Sequence, residues 1–282
     1  MSRTRLIVNA DDLGLAESVN RGIIETMERG IVTSASLMVN MGAHDDAMRR
    51  LADAKSRGLD VGIGLHFNIV SGLPLTACRT LVTRSRRFLP LPALAVRAFA
   101  RRVDPAEVER ELAAQLDTAQ TLLAPLRLRV THIDSHRHAH CLPGIFDVVL
   151  STAARHGIRH VRHPSESRRT LLGRPFASIA SQFLRLVLTN RDGLDDTAFV
   201  GLALMGSRTL DRDLSRLLER LPPGTTELMV HPGYDSPELA ALDPYRAPRE
   251  RELRALTSLA LRRRLQELGM ELSHFGATAA PA

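Results

Sequence analysis

Short apolar runs that end on polar or charged residues recur along the chain, and between them apolar positions return at the spacing of a helix facing a core. Leu6-Ile7-Val8 opens the first run and leads into Asn9-Ala10-Asp11-Asp12-Leu13-Gly14. Val19, Ile23 and Met27 then mark a helix over 15–29, with Gly30 placed to stop it. The pattern continues as a strand over 32–39, a helix over 43–56, and a second strand-like run, Gly62-Ile63-Gly64-Leu65, closing on His66, Phe67 and Asn68. Asp104 and Pro105 supply an N-cap and a proline at the first helical position, which predicts a helix through about 123. Helices over 143–156, 210–221 and 248–268 and strands over 227–230 and 270–275 complete the reading; Gly157 and Gly269 close the first and last of these helices. Strand and helix in regular succession predict an α/β fold, a parallel sheet covered by helices.

The strand ends carry the candidate chemistry. Asp11 and Asp12 directly follow the first run, and because side chains alternate along a strand, one carboxylate can hold a metal while the other handles a proton. Asp and Gly are also ordinary turn residues, so a surface turn is the competing reading of this segment on its own. Thr131-His132-Ile133-Asp134-Ser135-His136-Arg137-His138-Ala139-His140 places four histidines and an aspartate in ten residues, and Glu227-Leu228-Met229-Val230 runs into His231, Pro232, Gly233 and Tyr234. Imidazole and carboxylate are natural ligands of divalent metals. Such groups at four separate strand ends read as one metal-centred site. Residues gathered from several strand ends fit a (β/α) barrel better than an open sheet, whose ligands collect at one switch point.

Taken together and in this order, from about residue 4 to about residue 275, the four motifs resemble those of the YdjC-like carbohydrate deacetylases. That family includes diacetylchitooligosaccharide deacetylases and a branch associated with hopanoid biosynthesis. Leu13 stands where the family usually has phenylalanine, and Arg137 interrupts a common histidine triplet; neither change removes a proposed ligand. The resemblance implies a distorted or incomplete TIM-type barrel as a single catalytic domain over 1–276. It also implies a metal-dependent hydrolase that removes the N-acetyl group from an amino sugar, either a chitooligosaccharide or a lipid-linked glycan. Asp12, His66 and His136 match the family's metal ligands, for one divalent ion, zinc or magnesium. Asp11 would be the general base, and His231, arriving from the opposite side of the barrel, the general acid that protonates the departing amine. Two competing readings are a metal-dependent hydrolase of a phosphoester or cyclic amide, and a non-catalytic sugar-binding protein.

Other polar residues near the motifs are candidates for substrate contact or ligand support. Asp134 could orient a ligand imidazole. In an extended chain His138 and His140 would point the same way as His136, lining the pocket or supporting the ligands; turn residues facing water are the alternative. Asn68 and Tyr234 belong to the same candidate group, while His132 reads equally well as a buried, hydrogen-bonded histidine. His44, His156, His160, His163 and His274 lack a comparable setting.

Composition narrows the remaining choices. With 282 residues and 44% hydrophobic content the chain suits one barrel-sized core. No apolar run is long enough for a transmembrane helix, and no secretory leader precedes the first strand, which points to the cytoplasm. Cys78 and Cys141, the only cysteines, suggest a reducing compartment. The net charge of +7 reflects a bias toward arginine, since Lys55 is the only lysine among 38 basic residues. Arg79, Arg84, Arg86, Arg87, Arg97, Arg101 and Arg102 crowd one region without a recognition motif or a ladder of aromatics for base stacking, so no nucleic-acid partner is expected.

Two insertions, over 71–103 and 163–195, are placed to set the substrate. The second contains Phe176, Ile179, Phe183, Leu184, Leu186, Val187 and Leu188 among arginines and reads as a basic amphipathic helix, a cap over the barrel or a peripheral membrane contact. A homodimer is expected from the frequency of dimers, and 277–282 reads as a loose tail.

Overall fold

The computed structural model describes residues 4–167, 169–171 and 196–277. Strand and helix alternate as β1 (Arg5–Leu13), α1 (Glu17–Arg29), β2 (Ser34–Leu37), α2 (His44–Ser56) and β3 (Gly62–Phe67). Then come α3 (Leu91–Phe99), α4 (Pro105–Leu123), β4 (Val130–Ser135), α5 (Phe146–Arg155) and β5 (His160–Val161). The remainder is β6 (Ala198–Val200), α6 (Leu210–Leu218), β7 (Thr225–Val230), α7 (Pro237–Leu242), α8 (Ala247–Leu256), α9 (Leu259–Glu267) and β8 (Glu271–Ser273).

These strands pair in parallel in the order β5-β4-β3-β2-β1-β7-β6. Every residue of β1 except Arg5 is buried, and so is all of β3, because helices cover the sheet. Glu166, shortly after β5, bridges to Phe199 of β6, so the two ends of the path approach each other through a single contact. The result is the distorted, incomplete (β/α) barrel that the family resemblance implies. β1 is its hub: β7 follows one edge from Arg5 to Ala10, while β8 and β2 share the other, at Arg5–Ile7 and beyond Asn9.

β1 ends in a kink that prepares the site. Its register with β2 slips between Ala10 and Leu13, and Asp12 has φ 71°, in the left-handed region that non-glycine residues seldom occupy. Gly14 follows at φ 95°, where a Cβ would stand 2.5 Å from the Met38 carbonyl oxygen, so a side chain here would block the exit over β2. On the other side of β1, a Cβ on Gly22 of α1 would lie 2.6 Å from Gly233 Cα. That close approach seats the turn after β7, which carries His231.

The first insertion is anchored to α4. Asp104 caps this helix by accepting from the Ala106 N–H at 2.9 Å, as expected. Buried Glu107 accepts the N–H groups of Arg79 and Thr80, and buried Glu111 those of Leu75 and Thr76. The helix expected over 248–268 is two helices. Ser258 is extended (φ −69°, ψ 131°) and Thr257 Oγ1 donates to the Leu253 carbonyl at 2.9 Å, so these hydroxyl residues interrupt a run whose apolar spacing continues across the break. The proposed amphipathic helix, from Phe176 to Leu188, lies outside the described residues, as does 278–282. Among the described residues no helix is long and apolar enough to cross a membrane.

Candidate active site

Asp12, His66 and His136 converge from the ends of β1, β3 and β4, with ligand atoms within 4.8 Å of one another and all three residues buried. Asp12 Oδ1 lies 3.2 Å from His66 Nε2 and 2.9 Å from His136 Nδ1. Asp12 Oδ2 accepts from Arg249 Nη2 at 2.6 Å, and the same nitrogen meets Asp243 Oδ2 at 2.6 Å. His66 Nδ1 lies 2.7 Å from Asp134 Oδ1, the carboxylate support typical of a metal-binding imidazole, which leaves Nε2 facing Asp12.

This donor set fits a divalent cation. One carboxylate and two imidazoles leave coordination positions open, as catalytic metals require. Among the described residues, five carboxyl groups (Asp11, Asp12, Asp134, Glu227 and Asp243) surround two buried guanidinium groups, Arg162 and Arg249. Burial raises the Asp12 carboxyl, but Arg249 and His136 outweigh it and hold the group well below the usual carboxylate range. For His66 burial favours the neutral ring, yet Asp134, Asp12 and Asp11 outweigh it and push the imidazole up to about 10. Positive charge at this point is therefore favoured by the surrounding carboxylates. A second grouping, Asp11, His66 and Asp134, is already committed, because Arg162 occupies both aspartates.

Asp11 lines the same cleft as Asp12 but takes different partners. Arg162 clamps its two oxygens, with Nη1 2.6 Å from Oδ2 and Nη2 2.7 Å from Oδ1, and Asn9 Nδ2 donates to Oδ1 at 3.0 Å. Arg162 also reaches Asp134 Oδ2 at 2.7 Å and Glu227 Oε1 at 2.6 Å. Burial pushes Glu227 up to about 7 against the pull of Arg162. His231 does not arrive from the opposite side of the barrel: it ends β7, the direct neighbour of β1, and its Nε2 lies 3.9 Å from Asp11 Oδ2. Its backbone N–H donates to Glu252 Oε2 at 2.5 Å, and Tyr245 Oη donates to Oε1 of the same glutamate at 2.6 Å.

These groups open onto a cleft of about 360 Å³. Asp11, Asp12, His66, His136 and His231 line it together with the apolar side chains of Leu91, Met205, Met229 and Pro244. Arg137 also lines the cleft, loosely paired with Asp243 at 3.7 Å.

The remaining candidates separate. The segment after His136 is a 3₁₀ turn with Arg137 and His138 at φ 55° and 54°, so the three alternate histidines do not share one direction. His138 lines the cleft, and its Nδ1 is buried without a hydrogen-bond partner among the described residues. His140 turns inward to Ser135 Oγ and the Arg162 carbonyl, at 2.5 and 2.8 Å, and burial lowers it to about 4. His132 bonds Thr131 Oγ1 at 2.9 Å, packs on Phe275 and occupies the space a Cβ on Gly64 would need. Asn68 does not line the cleft; its amide shapes the turn through Asn40, Val70 and Ser71. Tyr234 is likewise absent from the cleft wall, donating to Glu25 Oε2 beneath the Arg21 guanidinium.

Sequence reasoning missed Arg162, Arg249, Glu227, Asp243 and Tyr245. In so arginine-rich a chain a single arginine carries no signal, and Arg249 sits within a helix whose other arginines are surface residues or half-buried. Glu227 was visible as a charge inside an apolar strand, the one cue that could have led to a buried cationic partner.

The YdjC-like protein family matches residues 5–267. A carbohydrate deacetylase of Geobacillus stearothermophilus is 36% identical over 269 residues, covering 94% of each chain. A chitooligosaccharide deacetylase of Yersinia enterocolitica is 29% identical, covering 96% of this chain and 97% of its own. The crystal structure of a proposed cellobiose-phosphate cleavage protein from Enterococcus faecalis has the same fold, with a TM-score of 0.81 at 23% identity over 99% of this chain and 100% of the other. With a family match over nearly its whole length and these full-length relatives, the chain belongs to the YdjC-like family.

Proposed function

We propose that the protein is a metal-dependent carbohydrate deacetylase that hydrolyses the acetamide of an N-acetylated amino sugar. The observation that carries this reading is the placement of Asp11 and His231 on one cleft with the Asp12, His66 and His136 set. Near-full-length relatives named as carbohydrate deacetylases support the choice of bond and substrate class.

Asp12, His66 and His136 would hold a divalent ion, which would supply a Lewis acid for the acetamide carbonyl and a lowered pKa for water, from 15.7 toward about 7. Two imidazole donors favour zinc over magnesium. Asp11 takes the proton of the attacking water, and Arg162 fixes the direction of both its oxygens. His231 delivers a proton to the sugar nitrogen as the C–N bond breaks, because an unprotonated amine leaves poorly. Asp134 keeps His66 Nε2 turned toward Asp12, and Arg249 holds the second oxygen of Asp12. His138 lines the cleft and is a candidate contact for the sugar.

A chitooligosaccharide is the first substrate reading. A lipid-linked amino sugar is the second, favoured by the apolar side chains of Leu91, Met205, Met229 and Pro244 that line the cleft. The test is acetate release from diacetylchitobiose and from a lipid-linked N-acetylglucosamine, with added divalent metals and with chelator. Metal-dependent release that vanishes in Asp11→Asn supports the reaction, and the preferred substrate decides between the two readings. A metal-loaded protein that releases acetate from neither overturns the choice of bond.

A further inference from the structure

Glu252 of α8 is buried, and among the described residues its carboxylate forms no ion pair. A carboxylate kept in that position is costly unless donors satisfy it. Two donors do so: the His231 backbone N–H on Oε2 at 2.5 Å, and the Tyr245 hydroxyl on Oε1 at 2.6 Å. Both lead to the cleft, which His231 and Tyr245 line together. Glu252 thus joins the residue read as the acid to a phenol whose part in the reaction is unassigned.

Tyr245 is held at every polar atom. Its hydroxyl has a single proton, which goes to Glu252, and it accepts from the Gly206 N–H at 2.9 Å. While these bonds stand the phenol has no proton for a substrate or a leaving group. Burial and the Glu252 carboxylate hold it well above the usual phenol range, which keeps it a donor. Its backbone N–H donates to Asp243 Oδ1 at 3.0 Å, and its carbonyl accepts from Arg249 Nε at 2.8 Å. Its ring meets the His231 imidazole edge to face, with centroids 5.4 Å apart and planes at 62°. Gly206 follows Met205, whose side chain lines the cleft, so the one hydroxyl ties a cleft loop, α8 and the end of β7 together.

From these contacts we infer that Tyr245 is a positioning residue for proton delivery by His231, a role that rests on the deacetylase reading of the cleft. Its hydroxyl secures Glu252 on the His231 backbone, and its ring limits the turn of the imidazole. Without the phenol, Glu252 Oε1 is a buried acceptor with no partner, so the carboxylate turns or draws in water and its hold on the His231 N–H loosens. Proton transfer tolerates little of this: a misplacement of about 1 Å can cost about 100-fold. A platform for stacking a sugar ring is the competing role. Stacking needs the ring and not the hydroxyl, so Y245F separates the two.

Kinetics of the metal-loaded wild type and Y245F on diacetylchitobiose and on an aryl acetate, beside metal content and amide hydrogen exchange at His231, test it. On diacetylchitobiose kcat should fall about 10–100-fold with KM unchanged. Bound metal and turnover of the aryl acetate, whose leaving group needs no proton, should stay at wild-type values. The His231 amide should exchange about tenfold faster, as for one weakened hydrogen bond. E252Q should show the same selective loss, and adding Y245F to it should change little, because the phenol acts through that carboxylate. Wild-type kcat in Y245F overturns the inference, as does a raised KM at unchanged kcat, which would make the hydroxyl a substrate contact. Equal losses on the two substrates also overturn it, since a merely structural role predicts them. If the wild type releases no acetate from diacetylchitobiose, the proposed reaction fails by itself and exchange at His231 decides the inference: protection unchanged in Y245F overturns it.

Discussion

Arg249 Nη2 lies 2.6 Å from Asp12 Oδ2 and 2.6 Å from Asp243 Oδ2, and the arginine is fully buried. A helix formed late in the chain therefore fixes one oxygen of a carboxylate at the end of the first strand. The other oxygen, Oδ1, is left for His66 and His136. Arg249→Met leaves two buried carboxylates without their partner and should destabilise the fold by about 3–5 kcal/mol. Arg249→Lys keeps the charge but loses the planar fork, and its metal affinity should fall about 10–100-fold, as for other groups that orient ligands. Denaturant unfolding and competitive metal titration measure the two effects separately; unchanged metal affinity in Arg249→Lys would remove the arginine from the ligand support.

The adjacent aspartates should behave differently. Asp12→Asn should lose bound metal. Asp11→Asn should retain it, because Asp11 faces Arg162 and lies outside the Asp12, His66 and His136 set. Turnover in Asp11→Asn should nevertheless drop by about 10²–10⁴-fold, the usual contribution of a positioned proton acceptor. Metal content measured beside acetate release decides. Loss of metal from both variants would reassign Asp11 as a ligand.

His231 should matter in proportion to how poorly the leaving group departs. For an acetylated amine, His231→Ala should lower turnover about 10²–10⁴-fold with metal retained. For an aryl acetate, whose phenolate leaves without a proton, the same substitution should have little effect. Equal losses on the two substrates would show that His231 acts before the leaving group departs, by placing Asp11, 3.9 Å away, or the attacking water.

The strand ends that carry Asp12, His66 and His136 were legible from the chain pattern, while the assignment of these three as one ligand set came from the family resemblance; parallel strands bring such ends to one rim. The direction of the residues after His136 was not legible. Arg137 and His138 take left-handed backbone angles, which no pattern of side chains announces, and the expected alternation of His136, His138 and His140 fails there. Nor did periodicity show the break at Thr257 and Ser258, since the apolar spacing of α8 and α9 runs through it. The buried arginines were hidden for another reason. Arg162 and Arg249 are identified by the carboxylates that the fold gathers around them, and those come from distant segments.

His132 and His140 make the fold sensitive to mild acid. Both are buried, and desolvation favours their neutral rings, lowering them to about 3 and about 4, while a histidine in the unfolded chain titrates near 6.5. At these two sites the unfolded chain therefore binds more protons than the folded one below about pH 6.5, and their contribution to stability falls with pH until the folded pKa values are reached. The contribution is fully present above about pH 6.5, and between pH 7 and pH 5 each histidine should cost about 2 kcal/mol. Urea unfolding at these two pH values measures the net slope, in which Glu227 and Glu166, pushed up to about 7 by burial, act in the opposite direction, so the histidine contribution is read as the difference between wild type and variant. His132→Gln removes one titrating ring and should change the stability difference between pH 7 and pH 5 by about 2 kcal/mol, even though its stability at pH 7 is expected to drop through lost packing on Phe275 at 4.1 Å. A slope unchanged by the substitution would mean that His132 is protonated in the folded protein. Its ring would then have gained a partner for Nε2, which is buried and without one among the described residues.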